Sequence, residues 1–148
     1  MIYTGRFQNV KKYEQAGLIP ISIAGYAPDY YKGIQFKTLA PKYSWWKEWH
    51  DNHLSNDWYK GKYKETVLDK LNPKVIANRL QAFGDDVILL CYEKPGEFCH
   101  RRLVANWLRS VGAAYPFANI VQHYAEIFLK ICVDFLKNQN EPLCFYRS

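Results

Sequence analysis

The stretch DVILLCYEKPGEFCHRRLVANWL, residues 86–108, decides how this chain is read. Val87, Ile88, Leu89, Leu90 and Cys91 form an apolar, β-favouring run that ends in Tyr92, Glu93 and Lys94. Pro95 and Gly96 then break the chain. From Cys99 the pattern turns helical, with Leu103, Val104, Trp107 and Leu108 recurring at three- and four-residue spacing. The stretch therefore predicts a strand, a short loop, and a helix whose first turn carries Cys99, His100, Arg101 and Arg102. In open α/β sheets, ligands bind beyond the carboxyl ends of the strands. A helix starting there adds free N–H groups and the positive end of its dipole.

Upstream, residues 2–7 read as a first strand and residues 9–16 as a short polar helix stopped by Gly17. Residues 19–24 alternate and are β-branched, which predicts a second strand ended by Gly25, Ala27 and Pro28. With the strand at residues 87–92, this order predicts a small three-layer, Rossmann-like α/β domain. Its sheet is short, mainly parallel, and has three or four strands. Residues 26–63 form an aromatic-rich helical insertion. It holds Tyr26, Tyr30, Tyr31, Phe36, Tyr43, Trp45, Trp46, Trp49, Trp58, Tyr59 and Tyr63. Lys32, Lys37, Lys42, Lys47, Lys60, Lys62 and Lys64 are interleaved with these rings or follow them. Two helices are expected next, over residues 64–71 and 73–83. The second has Asn72 as cap, Pro73 at its first position, and Val75, Ile76, Leu80 and Phe83 facing inward.

Beyond Gly112, apolar residues recur from Ile120 to Leu136 at helical spacing, which predicts an amphipathic helix over residues 116–137. It either packs across the sheet or forms a homodimer contact. Residues 143–146 suggest an added edge strand. The whole of 1–148 is read as one domain.

The net charge of +6 favours anionic partners, although it is small for a dedicated nucleic-acid binder. The N-terminus has a strand pattern, without the apolar core of a signal peptide. No apolar run is long enough to span a bilayer. A cytoplasmic protein with no membrane partner is expected, its four cysteines reduced. No cofactor and no metal are expected, because no CxxC pair is present. His50 and His53 lie in a polar stretch that offers no third ligand, so they read as surface histidines.

The candidate chemistry centres on residues 86–108. Cys99, at a helix start beside Arg101 and Arg102, has the setting of a lowered-pKa thiol and candidate nucleophile. The bland reading is a small buried residue where helix meets sheet. Glu93 sits just past the strand tip, where it can act as a general base or hold a sugar hydroxyl. Its structural alternative is an ion pair with Arg101 or Arg102. His100 can shuttle protons or cap the helix. Adjacent on a helix, Arg101 and Arg102 point about 100° apart, so only one can face the site. Cys91 and Tyr92 at the strand tip, and Tyr30, Tyr31 and Lys32 after the second strand, are expected to line the ligand site. The rings and lysines of the insertion suit stacking on bases and neutralising phosphates; the alternative, favoured for Trp45, Trp46 and Trp49, is a mini-core of the insertion. Glu93 and Glu97 would repel a phosphate dianion, which argues against a phosphatase.

The string LLCYEKPGEFCHR (residues 89–101) resembles the signature of the DUF488 family, a family named for having no known function. Two weaker echoes are ISIA followed by Pro28, and YKGIQFKTLAP over residues 31–41. The resemblance covers roughly residues 1–112. It implies a small α/β domain with its site around the CYE and CHR elements, and it supplies no activity. Family members often carry Arg after ISIA. Here the residue is Gly25, so no role is carried over for that side chain.

Three functions fit these residues. The first is an enzyme acting on a nucleotide, nucleoside or nucleic-acid substrate, with Cys99, Glu93 and His100 catalytic. In that case Cys91, Tyr92, Arg101, Arg102, Tyr30, Tyr31 and Lys32 bind the ligand. The second is a non-catalytic module that senses or sequesters a nucleotide-like anion. The third is a thiol redox or sulfur-transfer protein using Cys91 and Cys99.

Overall fold

The computed structural model describes residues 1–94 and 96–112. The expected helix over 116–137 and edge strand over 143–146 lie outside the described residues. The first strand, β1 (Ile2–Arg6), runs through a 3-10 turn into helix α1 (Val10–Gln15). Gly17 ends that helix with φ 76°, a left-handed conformation that glycine adopts without steric cost. Strand β2 (Ile19–Ser22) follows. Strand β4 (Val87–Cys91) lies between β1 and β2, and a two-residue strand β3 (Ile34–Gln35) completes the order β1-β4-β2-β3. Every pairing is parallel, as expected for a Rossmann-like α/β sheet. β2 is shorter than the expected 19–24. After Ser22 only Ile23 N–H keeps a bond to the sheet, to Leu90 O at 3.2 Å. The chain then turns away and returns as β3.

All five residues of β4 are buried, which explains why the strand reads as a continuous apolar run. Side-chain parity divides them between the two faces of the sheet. Val87 and Leu89 join the core formed with Ile76 and Leu80 of helix α4 (Pro73–Gln81) and Val104 and Leu108 of helix α5 (His100–Arg109). Cys91 shares their parity. Ile88 faces α1 instead: a Cβ added to Gly5 would lie 2.7 Å from both Ile88 Cδ1 and Tyr13 Cε2. Only glycine permits that close approach.

The insertion forms helices α2 (Tyr43–Asp51) and α3 (Asn56–Thr66). The helix expected over 64–71 is not formed. α3 ends at Thr66, and a separate 3-10 turn, Leu68–Lys70, follows Val67. α4 is capped as its sequence predicts, with Asn72 Oδ1 accepting from Lys74 N (3.0 Å) and Val75 N (3.3 Å). Its inward face is Ile76, Ala77 and Leu80. Val75 and Phe83 are exposed, because Ile76 and Leu80 at i and i+4 set the buried stripe. Tyr63 anchors α3 through a 2.6 Å bond from its hydroxyl to Leu39 O. Among the described residues no helix is long and apolar enough to cross a membrane.

Candidate functional site

The carboxyl end of β4, the bend after β2 and the start of α5 meet in one place. Cys91 is the last residue of β4, on the face that α5 covers. Cys99 is the N-cap of α5, and its Sγ accepts from Arg101 N at 3.4 Å. His100, the first residue of the helix, is buried. Its Nε2 lies 3.0 Å from Ile23 O, and a carbonyl only accepts, so Nε2 carries the hydrogen. Nδ1, the other ring nitrogen, faces Cys91 Sγ at 3.8 Å. The ligating atoms of Cys91, Cys99 and His100 all lie within 4.8 Å of one another.

Arg101 is buried and directed at Glu93. One guanidinium nitrogen donates to Glu93 O at 2.7 Å, and the other stands 3.7 Å from Glu93 Oε2. That is an ion pair rather than a hydrogen bond, so Glu93 Oε2 is buried without a hydrogen-bond partner. The loop before the helix is held by Lys94 N–H donating to Glu97 Oε2 at 2.7 Å, which leaves Glu97 a structural role.

A cavity of about 240 Å³ opens above these groups. Its floor is Cys91, Glu93, Cys99 and His100. Its walls include Tyr26, Tyr43, Trp46, Trp49, Tyr59 and Phe98. Trp49 and Tyr59 cross edge to face at 5.0 Å, as do Tyr59 and Phe98 at 5.0 Å. Tyr43 stacks on Trp46 at 6.0 Å between centroids. Trp49 Nε1 is a buried donor with no partner.

The two thiols ionise differently. Burial pushes Cys99 up, but hydrogen bonding from Cys91 and His100 and the charge of His100 outweigh it and bring the thiol down to about 6. Cys91 is pushed well above the usual thiol range, first by its hydrogen bond with Cys99 and then by burial. Burial also opposes the charge on Glu93, yet the Cys99 and Cys91 thiols beside it hold its carboxyl below the ordinary value. The floor therefore combines two thiols of opposite tendency, an imidazole and a carboxyl held below its ordinary value.

The structure brings together Cys91, Tyr92, Glu93, Cys99 and His100 from the residues singled out in the sequence. The others stand elsewhere. Arg101 lies behind Glu93, and Arg102 is half-buried and does not line the cavity. Tyr30 and Lys32 are exposed and away from it. Tyr31 is buried, and its hydroxyl donates within reach of Pro20 O (2.8 Å) and Ile34 O (2.9 Å), so it ties β2 to β3. Of the insertion tryptophans only Trp45 is fully buried core, while Trp46 and Trp49 are walls. The signal for those walls was spacing: Tyr43, Trp46 and Trp49 recur every three residues, which places them on one side of α2, apart from Trp45. His50 is exposed, with its ring stacked on Trp46.

A family model described as DUF488-N3a, the active DUF488-N3 subclade, matches residues 12–112. No curated protein and no solved structure matches the chain. The match spans β2 and its following bend, the insertion, β4 and α5, all the elements that build the cavity, and the chain belongs to the DUF488 family.

Proposed function

We propose that this chain binds a nucleoside, or the base of a nucleotide or nucleic acid, by its planar ring in the aromatic cavity and acts on it at the Cys91–Glu93–Cys99–His100 floor. The observation that supports this reading is the coincidence of flat aromatic walls with a reactive polar floor. Ring faces grip bases by stacking whatever their sequence, at about 1–3 kcal/mol each. The unpartnered Trp49 indole N–H and Glu93 carboxylate oxygen supply a donor and an acceptor for the edge of a base. The volume lies just under the roughly 300–1,000 Å³ of ordinary ligand pockets, which suits one ring and its sugar rather than a dinucleotide.

Among the described residues the lining contains no Lys or Arg. A phosphate would find Glu93 and a thiolate instead of cations, so the base and sugar, rather than the phosphate, carry affinity. Lys37 at the rim is engaged with the carbonyls of Ala24 and Gly25. The family description as an active subclade favours chemistry over passive capture.

Native mass spectrometry of the purified protein, followed by calorimetry with the four ribonucleosides and their monophosphates, tests the reading. One nucleoside should bind, and its monophosphate should bind no more than about threefold tighter, since a charge-assisted contact would add about 1.5–3 kcal/mol. Cys99→Ser should keep the affinity and lose the reaction. Binding of phosphates but of no nucleoside would overturn the proposal.

A further inference from the structure

The floor of the cavity has a second property that follows from its donor atoms. We infer that Cys91, Cys99 and His100 form a three-ligand zinc site whose fourth position faces the cavity and carries a water molecule. Zinc bound tetrahedrally at about 2.3 Å to sulfur and 2.0–2.1 Å to nitrogen sets ligand atoms about 3.6 Å (S···N) and 3.8 Å (S···S) apart. Cys91 Sγ and His100 Nδ1 stand 3.8 Å apart, and no pair in the trio exceeds 4.8 Å. Small side-chain rotations close the remaining gap.

The outer shell points the same way. A zinc-binding histidine almost always donates its other ring N–H to a carbonyl or carboxylate, which fixes the tautomer and aims the free nitrogen at the metal. His100 does this: Nε2–H is spent on Ile23 O at 3.0 Å, and Nδ1 faces the sulfurs. All three ligands are buried, and two sulfurs with one imidazole are a set that selects zinc over magnesium or calcium. Three protein ligands leave the open position that distinguishes a catalytic zinc from a structural one.

Glu93, on the same floor, is the proton acceptor for the bound water. Its Oε2 has no hydrogen-bond partner, while Arg101 fixes its backbone and faces its carboxylate. One proton passes from the water to the carboxylate, and hydroxide stays on the metal. Two cysteines, one histidine and a non-ligating glutamate are also the groups by which zinc nucleobase deaminases activate water. The reaction class is thus hydrolytic. This last step rests on the ligand reading above for what the hydroxide attacks; the metal site itself does not.

The test uses full-length protein without nucleoside, so failure of metal binding and failure of base binding are separate results. Elemental analysis should find about one zinc per chain, or uptake of one equivalent after chelation. Cobalt in its place should give the intense thiolate-to-metal band of a tetrahedral site. Added zinc should block alkylation of Cys91 and Cys99 in the wild-type chain, and a chelator should restore it, a readout that needs no variant to fold. Cys91→Ser should weaken zinc at least about 100-fold, since even an outer-shell partner is worth about 10–100-fold. Glu93→Gln should hold zinc at full stoichiometry. No protection of the two thiols by zinc, or their recovery as a disulfide that takes up no metal on reduction, would overturn the inference. Loss of zinc in a folded Glu93→Gln protein would contradict the open fourth position.

Discussion

Two aromatic clusters sit at the carboxyl end of the sheet, and they differ in one physical respect. In the first, Phe7 packs against Tyr31 at 5.2 Å and Tyr92 at 4.9 Å. Its polar atoms are satisfied within the chain: the Tyr31 hydroxyl is shared by two backbone carbonyls, and the Tyr92 hydroxyl donates to Tyr26 O at 3.1 Å. In the second, Trp46, Trp49, Tyr59 and Phe98 surround open space, and the Trp49 N–H and Glu93 Oε2 remain unpaired. An unpaired buried polar group costs about 1–3 kcal/mol; Trp45 Nε1 and Ser22 Oγ are unpaired as well, so what sets the second cluster apart is the open space beside its unpaired atoms. The first cluster closes a fold, and the second is the one we propose takes an occupant.

The largest effect should fall on the closed cluster. Phe7 is almost fully buried, and Phe7→Ala should destabilise by about 3–5 kcal/mol in urea unfolding. Tyr43→Ala, at a ring that is 56% exposed on the cavity wall, should change stability by less than about 1 kcal/mol. Equal losses at the two positions would erase the distinction between them.

Affinity should show the reverse pattern. Tyr43→Ala should weaken nucleoside binding by about 1–3 kcal/mol. Tyr31→Phe, which removes the hydroxyl that reaches Pro20 O and Ile34 O, should cost about 0.5–1.5 kcal/mol of stability and leave the affinity of the folded protein unchanged. A Tyr31→Phe protein that folds normally but binds poorly would move the site toward β3.

The smallest effect concerns rates. In chelator-treated protein Cys99 should be alkylated from about pH 6 upward, because its thiolate persists above a pKa held down by Cys91 and His100. Cys91, pushed above the usual range, should lag at every neutral pH. Mass spectrometry of the labelled peptides reads both sites, and a Cys91 that reacts first would reverse the assignment of thiolate and thiol.

How much of this was legible in the chain follows from the length scale of each signal. β4 and α5 were clear because five consecutive apolar residues and an i, i+4 stripe survive any context. The α4 start was clear because Asn72 and Pro73 are a local instruction. β3 was not, since a two-residue strand has no period to detect. α2 begins after Lys42, which makes no side-chain cap, so its start carried no local mark. The same divide runs through the site. Cys99, His100 and Glu93 cluster in sequence, and they line one cavity. The three-residue spacing of Tyr43, Trp46 and Trp49 marks one side of α2, whereas Tyr26, Tyr59 and Phe98 join those rings only through packing, which no local pattern shows. Tyr31 was misplaced because no local pattern shows a hydroxyl reaching Pro20 O. The CxxC rule likewise passes over two cysteines that a strand tip and a helix start bring together eight residues apart.

The central claim, that the second cluster is a ligand site, can be read directly from the indole N–H signals of the five tryptophans in a nitrogen–proton NMR spectrum. On saturation with the nucleoside that binds, Trp46 and Trp49 should shift, and the Trp49 N–H, now paired, should exchange more slowly with solvent. Trp45 in the core and Trp58 and Trp107 away from the cavity should stay in place. Shifts confined to Trp58 or Trp107, or none at all at saturating nucleoside, would contradict the account.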